Sequence, residues 1–120
     1  MKRLLLVFLT ACSVEQGKLP VMDEFTLPES ATLDADGSYK VVASVSFHDD
    51  DDPVAKVRVT IASIRAAHDY TSLTGQKVEK GSLALTIVGS APKGPLQITA
   101  QAIDREGNVS DPKSASITLK

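Results

Sequence analysis

The sequence predicts an all-β fold, an antiparallel β-sandwich of about seven strands. Three observations carry this reading. Several stretches alternate apolar and polar residues with period two, the mark of a strand with one buried face. Clusters of turn-forming residues separate them at short intervals. No stretch keeps helical spacing over three turns. A chain of 120 residues allows one domain. With 42% hydrophobic and 23% charged residues it has a globular composition, not a disordered one. Aromatics supply only 4% and Trp is absent, so aliphatic and β-branched side chains must fill the core.

The first residues differ from the rest. Met1, Lys2 and Arg3 form a basic head, and Leu4 to Leu9 an apolar run. Leu9-Thr10-Ala11-Cys12 follows, and the chain then turns polar. A basic head, an apolar run and small residues before a cut are the parts of a secretory signal. The run is far shorter than the roughly 20 residues of a membrane span. Leu9-Thr10-Ala11-Cys12 resembles the bacterial lipobox. That resemblance implies cleavage before Cys12 and acylation of its thiol, hence an exported chain held to a bacterial membrane. The other reading of these residues, an apolar strand with a buried cysteine, leaves the basic head without a role.

Cys12 is the one cysteine, so no disulfide within the chain is expected. Loss of residues 1–11 removes two of 13 basic residues and leaves 11 against 15 acidic. A mature chain of that acidity argues against nucleic acid and against a polybasic membrane surface. Residues 12–20 read as the lipidated Cys and a tether ending at Pro20. Its eight residues after Cys12 reach roughly 26 Å when extended.

Residues 21–120 are the expected domain. A first strand is predicted over 21–27, ended by Pro28. Asp34-Ala35-Asp36-Gly37 is a turn signal. Over 39–48, Tyr39, Val41, Ala43, Val45 and Phe47 share one face, and only Val42 breaks the polar face. A strand over 54–63 turns Val57, Val59 and Ile61 inward. Residues 65–80 read as a connection with one short edge strand near Gln76 to Glu79. Leu83, Leu85 and Ile87 mark a further strand, and a turn over 89–94 contains Pro92. Leu96, Ile98, Ala100 and Ala102 mark another, and Ala115, Ile117 and Leu119 the last.

Residues 95–119 resemble the closing hairpin of bacterial immunoglobulin-like and fibronectin type III-like domains. Asp104, Gly107, Asn108 and Ser110 match the Asp-x-x-Gly-Asn-x-Ser turn of that group. The local reason for such a turn is that Gly107 and Asn108 tolerate positive φ, while Asp104 and Ser110 bond the turn backbone. The resemblance implies an immunoglobulin-like sandwich.

No nucleophile elbow, zinc-binding His-Glu-x-x-His, Cys-x-x-Cys or phosphate-cradling loop is present. His68-Asp69 are neighbours in sequence, which does not make a dyad. The expectation is therefore no enzyme. Asp49, Asp50, Asp51 and Asp52 are the strongest local feature. An immunoglobulin-like sandwich would bring their loop to the same end as Asp104, Glu106 and Asn108. Calcium takes six to eight oxygens from flexible loops, so these residues are a candidate calcium site. The ordinary reading of such a charge run is a solvated acidic face that discourages edge pairing, and it is preferred to calcium. With no Trp and with Tyr39 and Phe47 turned inward, a carbohydrate platform is disfavoured, Tyr70 being the exposed aromatic. The expected function is a lipid-anchored cell-envelope module for protein interaction or structural spacing, contacting an envelope or extracellular protein. Rival readings are a calcium-binding adhesive module and a small periplasmic enzyme inhibitor acting through residues 66–80.

Overall fold

A computed structural model describes residues 19–50, 53–71 and 78–120. The chain folds as an all-β, immunoglobulin-like sandwich of two sheets. The described strands are β1 (Val21–Thr26), β2 (Ser30–Ala31), β3 (Ser38–His48), β4 (Val54–Ile61), β5 (Ala66–Tyr70), β6 (Val78–Val88), β7 (Gly94–Asp104) and β8 (Lys113–Leu119). One sheet has the order β1-β3-β6, the other β2-β8-β7-β4-β5. No helix among the described residues is long and apolar enough to cross a membrane.

The alternation dictates the packing. Tyr39, Val41, Ala43, Val45 and Phe47 of β3 are buried and face Val57, Val59, Ile98, Ala100 and Ile117 of the other sheet within one core. Each large aliphatic or aromatic side chain fully buried there contributes about 1.5–3 kcal/mol. Val42, outside the alternation, is 60% exposed on the outer face. Two close features shape the far end. Gly37 takes a φ of +85° to close the 34–37 turn, where its N–H donates to the Asp34 carbonyl. A side chain at Gly89 would run into the Gly37 carbonyl, so the two turns meet backbone to backbone.

The structure corrects the sequence reading in four places. The fourth strand stops at Ile61, and residues 62–64 form a 3₁₀ turn that ends on Arg65 in the left-handed region. The connection expected over 65–80 contains β5, an edge strand that pairs with β4 from Ile61↔Ala66 to Val57↔Tyr70. Its residues lack an apolar alternation because only one face and one edge are covered. The short strand expected at Gln76 to Glu79 is divided: residues 76 and 77 lie outside the described residues, and 78 and 79 begin β6. Finally, β2 pairs in parallel with β8, against the antiparallel expectation. A two-residue strand has no periodicity to read, and its pairing is set by where the chain returns.

The ends of the sandwich follow from the register. Val21 pairs with His48, and Val78 with His48 on the other side. Val54 pairs with Asp104. The start of β1, the end of β3, the start of β4 and the 105–112 connection therefore share one end. At the opposite end lie the 34–37 turn, the 3₁₀ turn and the 89–93 turn.

Candidate functional site

Residues 49–50, just past β3, and the 105–112 connection meet at one end of the sandwich. A bulge in β4 between Val54 and Lys56 breaks the register with β7, and the end of β7 then turns both Ile103 and Asp104 out of solvent. Asp104 is 2% exposed and Asp49, just past β3, is 1% exposed. Their side chains are close neighbours at this end, and Asp49 is one of the groups that favour the ionised form of Asp104.

Asp104 builds the turn that follows it. Its Oδ1 accepts the backbone N–H groups of Glu106 and Asn108, each at 2.9 Å, and its Oδ2 accepts the Asn108 side-chain amide at 3.0 Å. Gly107 supplies the turn's positive φ, at +90°, and Asn108 does not share it. Burial works to raise the Asp104 pKa. The bonds from Asn108, Glu106 and Asp49 outweigh it and hold the carboxyl below the usual range. Ser110 completes the unit: its Oγ accepts the Ala102 N–H at 2.8 Å, and its own N–H donates to the Ala102 carbonyl.

The structure thus brings Asp49 and Asp104 together. Glu106 is exposed, and Asn108 gives its amide to Asp104. Asp50 is exposed; Asp51, Asp52 and the candidate lipidation residue Cys12 lie outside the described residues. Among the described residues no group of three or more His, Cys, Asp or Glu is gathered as a metal site.

The histidines are engaged singly. His48 Nδ1 lies 2.7 Å from Asp23 Oδ2, and this bond raises the imidazole pKa. His68 packs edge-on against Tyr70, with ring centroids 4.6 Å apart. Asp69, on the other face of β5, accepts Arg58 Nε at 2.8 Å and Nη2 at 3.2 Å and pairs with Lys56 at 3.3 Å. The Arg58 bond is the main cause that lowers its pKa to about 2. His68 and Asp69 therefore point apart. Lys93 lies at the far end, where its Nζ donates to the Lys120 carbonyl at 3.1 Å.

One feature escaped sequence reading. Between β5 and β6, on the edges that pair with no other described strand, a cleft of about 70 Å³ opens into the core. Val59, Ile61, Leu85 and Ile87 form its walls and Ala66, His68 and Tyr70 its rim. Tyr70, expected as an exposed aromatic, is partly buried there against the core. The aliphatic residues were legible as core; only the position of β5 leaves them open at one side.

No family model matches the chain, and no curated protein does. Among solved structures it is similar to a Niemann-Pick type C2 protein from the Japanese carpenter ant, with a TM-score of 0.56 and 9% identity. The alignment covers 87% of this chain and 95% of that one. At that identity the likeness shows the sandwich fold alone.

Proposed function

We propose that the protein is a non-enzymatic cell-envelope module, anchored through an acylated Cys12 and presenting its sandwich to another protein. The observation that carries this reading is where the chain joins the domain. Leu19 and Pro20 lie beside Asp111, Pro112 and Lys113, so the expected tether leaves from the acidic end. An anchor at Cys12 turns that end, with the exposed Asp50, Glu106 and Asp111, toward the headgroups. Acidic side chains facing an anionic leaflet hold a domain off the surface. The far end, with the 34–37, 62–65 and 89–93 turns, then points away from the membrane, and the open edges of both sheets stand along its sides.

The polar groups at the acidic end support a structural task. Asp104, Asn108 and Ser110 are occupied in shaping one turn. Residues 66–80, the segment considered for an inhibitory loop, contain β5 and the start of β6, with 72–77 outside the described residues. A regular edge strand suits pairing with a partner better than plugging an active site.

Two measurements test the reading. Mass spectrometry of the mature chain should find an acylated Cys12 at its N-terminus, and Cys12→Ser should move the protein from the detergent phase to the aqueous phase. A wild-type chain with an unmodified thiol refutes the anchor. Crosslinking in the native envelope should capture a protein partner; capture of none under conditions that crosslink known envelope complexes refutes the interaction.

A further inference from the structure

We propose that the free edge of β5 is the contact surface, and that it takes an extended acidic-aliphatic polypeptide segment as a sixth strand of the five-stranded sheet. The inference deepens the interaction reading above and rests on it. Among the described residues β5 pairs only with β4, so its other side offers backbone donors and acceptors in register. Edge strands are usually blunted by an outward lysine, a proline or a bulge. From Ala66 to Tyr70 none of these is present. Ala66 and Ala67 also leave room for a close approach.

The cleft behind this edge sets the partner's inward residue. Its walls are Val59, Ile61, Leu85 and Ile87, and its volume is about 70 Å³. That is roughly half the ~150 Å³ apolar cavity that takes a benzene, so it suits one branched aliphatic side chain and nothing larger. Strand addition provides such a side chain, because alternate residues of the added strand point to the inner face.

Charge sets the outward residue. Arg58 and Lys56 reach from β4 across to Asp69 on the edge strand, at 2.8 and 3.3 Å. Two cations against one carboxylate leave a positive charge at the rim of a chain whose net charge is −2. Arg65 adds another where β5 begins, exposed. An acidic residue on the outer face of the added strand balances this edge. The segment recognised therefore alternates aliphatic and acidic residues.

The probe is a fluorescein-labelled peptide of alternating valine and glutamate, about six residues long, the length of an ordinary strand. Polarisation should rise on titration with the folded protein, and NMR amide shifts should concentrate on residues 66–70. Ala66→Leu, which fills the cleft from within, should weaken binding by about tenfold or more. Serine for valine in the peptide should do the same without touching the protein's fold, and lysine for glutamate should abolish binding. Absence of binding at about 1 mM peptide, the weak end of specific association, overturns the proposal, as do shifts centred on another strand. A dimer in sedimentation that Ala66→Leu dissolves would assign the edge to a second copy and also overturn it. The envelope crosslink separates the two levels. A partner captured equally by wild type and Ala66→Leu removes the β5 site and leaves the interaction reading standing. Peptide binding at β5 with no partner captured does the reverse.

Discussion

Asp49 and Asp104 meet as a buried carboxyl pair where the end of β3 in one sheet faces the end of β7 in the other. This contact links the two sheets at the acidic end, and Asp104 is the residue that organises the following turn. Asp104 accepts three donors from residues 106–108. Removing it leaves those donors without their carboxylate. Hydrogen bonds to a charged group are worth about 1.5–3 kcal/mol each, and not additively. Asp104→Ala should therefore lower stability by about 3 kcal/mol, whereas Glu106→Ala, at an exposed side chain, should change it by less than about 0.5 kcal/mol. Asp49→Asn replaces one of two neighbouring carboxyl groups with an amide beside Asp104 and should be neutral or stabilising. Thermal or urea melts of the three variants check this; an Asp104→Ala protein as stable as wild type would show that the turn forms without its carboxylate.

The Arg58–Asp69 pair gives a pH dependence of known sign. The Asp69 pKa is lowered from 3.8 to about 2 by the Arg58 bonds, with Lys56 assisting. A carboxylate with a depressed folded pKa stabilises the fold above its unfolded pKa, and this contribution fades as pH falls through the folded value. Asp69→Asn should thus be less stable than wild type at pH 7, by about 1 kcal/mol or less since the pair is at the surface. The difference should shrink from pH 4 downward and vanish near pH 2. A deficit that stays constant over that range would mean that Asp69 acts through packing and not through its charge.

Much of this architecture was legible because the core is aliphatic and regular. Tyr39 through Phe47, apart from Val42, and Leu96 through Ala102 alternate, and both lie in strands whose inner face is buried and outer face wet. The Asp-x-x-Gly-Asn-x-Ser turn was legible too, since its bonds are local. What stayed hidden depends on tertiary position. β5 is held by one neighbour, and its Ala66-Ala67-His68-Asp69 carries no pattern. The bulge that turns Asp104 inward arises from a register mismatch between β4 and β7. Asp49 and the turn after β7 lie at one end, while Asp51 and Asp52 are outside the described residues. That Asp104 would be buried, beside an equally buried Asp49, could not be read from spacing.

The assignment of faces predicts opposite outcomes for neighbouring residues. Val45 and Ile98 are 1% and 0% exposed between the sheets. Val45→Asp and Ile98→Asp each bury a charge with no partner, at a cost of several kcal/mol, on the order of the whole stability of a small domain. Ser44 and Gln97 are their neighbours on the outer faces. Ser44→Asp and Gln97→Glu should cost about 0.5 kcal/mol or less. Circular dichroism at 25 °C should show the first pair unfolded and the second pair melting near wild type. Similar melts for both pairs would place the core on the wrong face.

The same geometry bears on calcium. A cation that binds the folded chain alone, present at 100 times its dissociation constant, adds about 2.7 kcal/mol of stability. In a domain of this size that is a rise of several degrees or more in Tm. Calcium seeks six to eight oxygen ligands. At the acidic end Asp104 already accepts three N–H groups, and Asn108 turns its amide nitrogen toward Asp104. Recruiting either as a ligand would cost the turn its bonds. The expected result is that millimolar calcium leaves the melting curve where magnesium at equal ionic strength leaves it. Asp50→Asn combined with Asp51→Asn should then be neutral or slightly stabilising, because two like charges are gone from one loop. A calcium-specific rise of several degrees that this double variant abolishes would overturn the expectation. It would mean that the 49–52 loop supplies enough oxygens by itself, without those that the 104–108 turn retains.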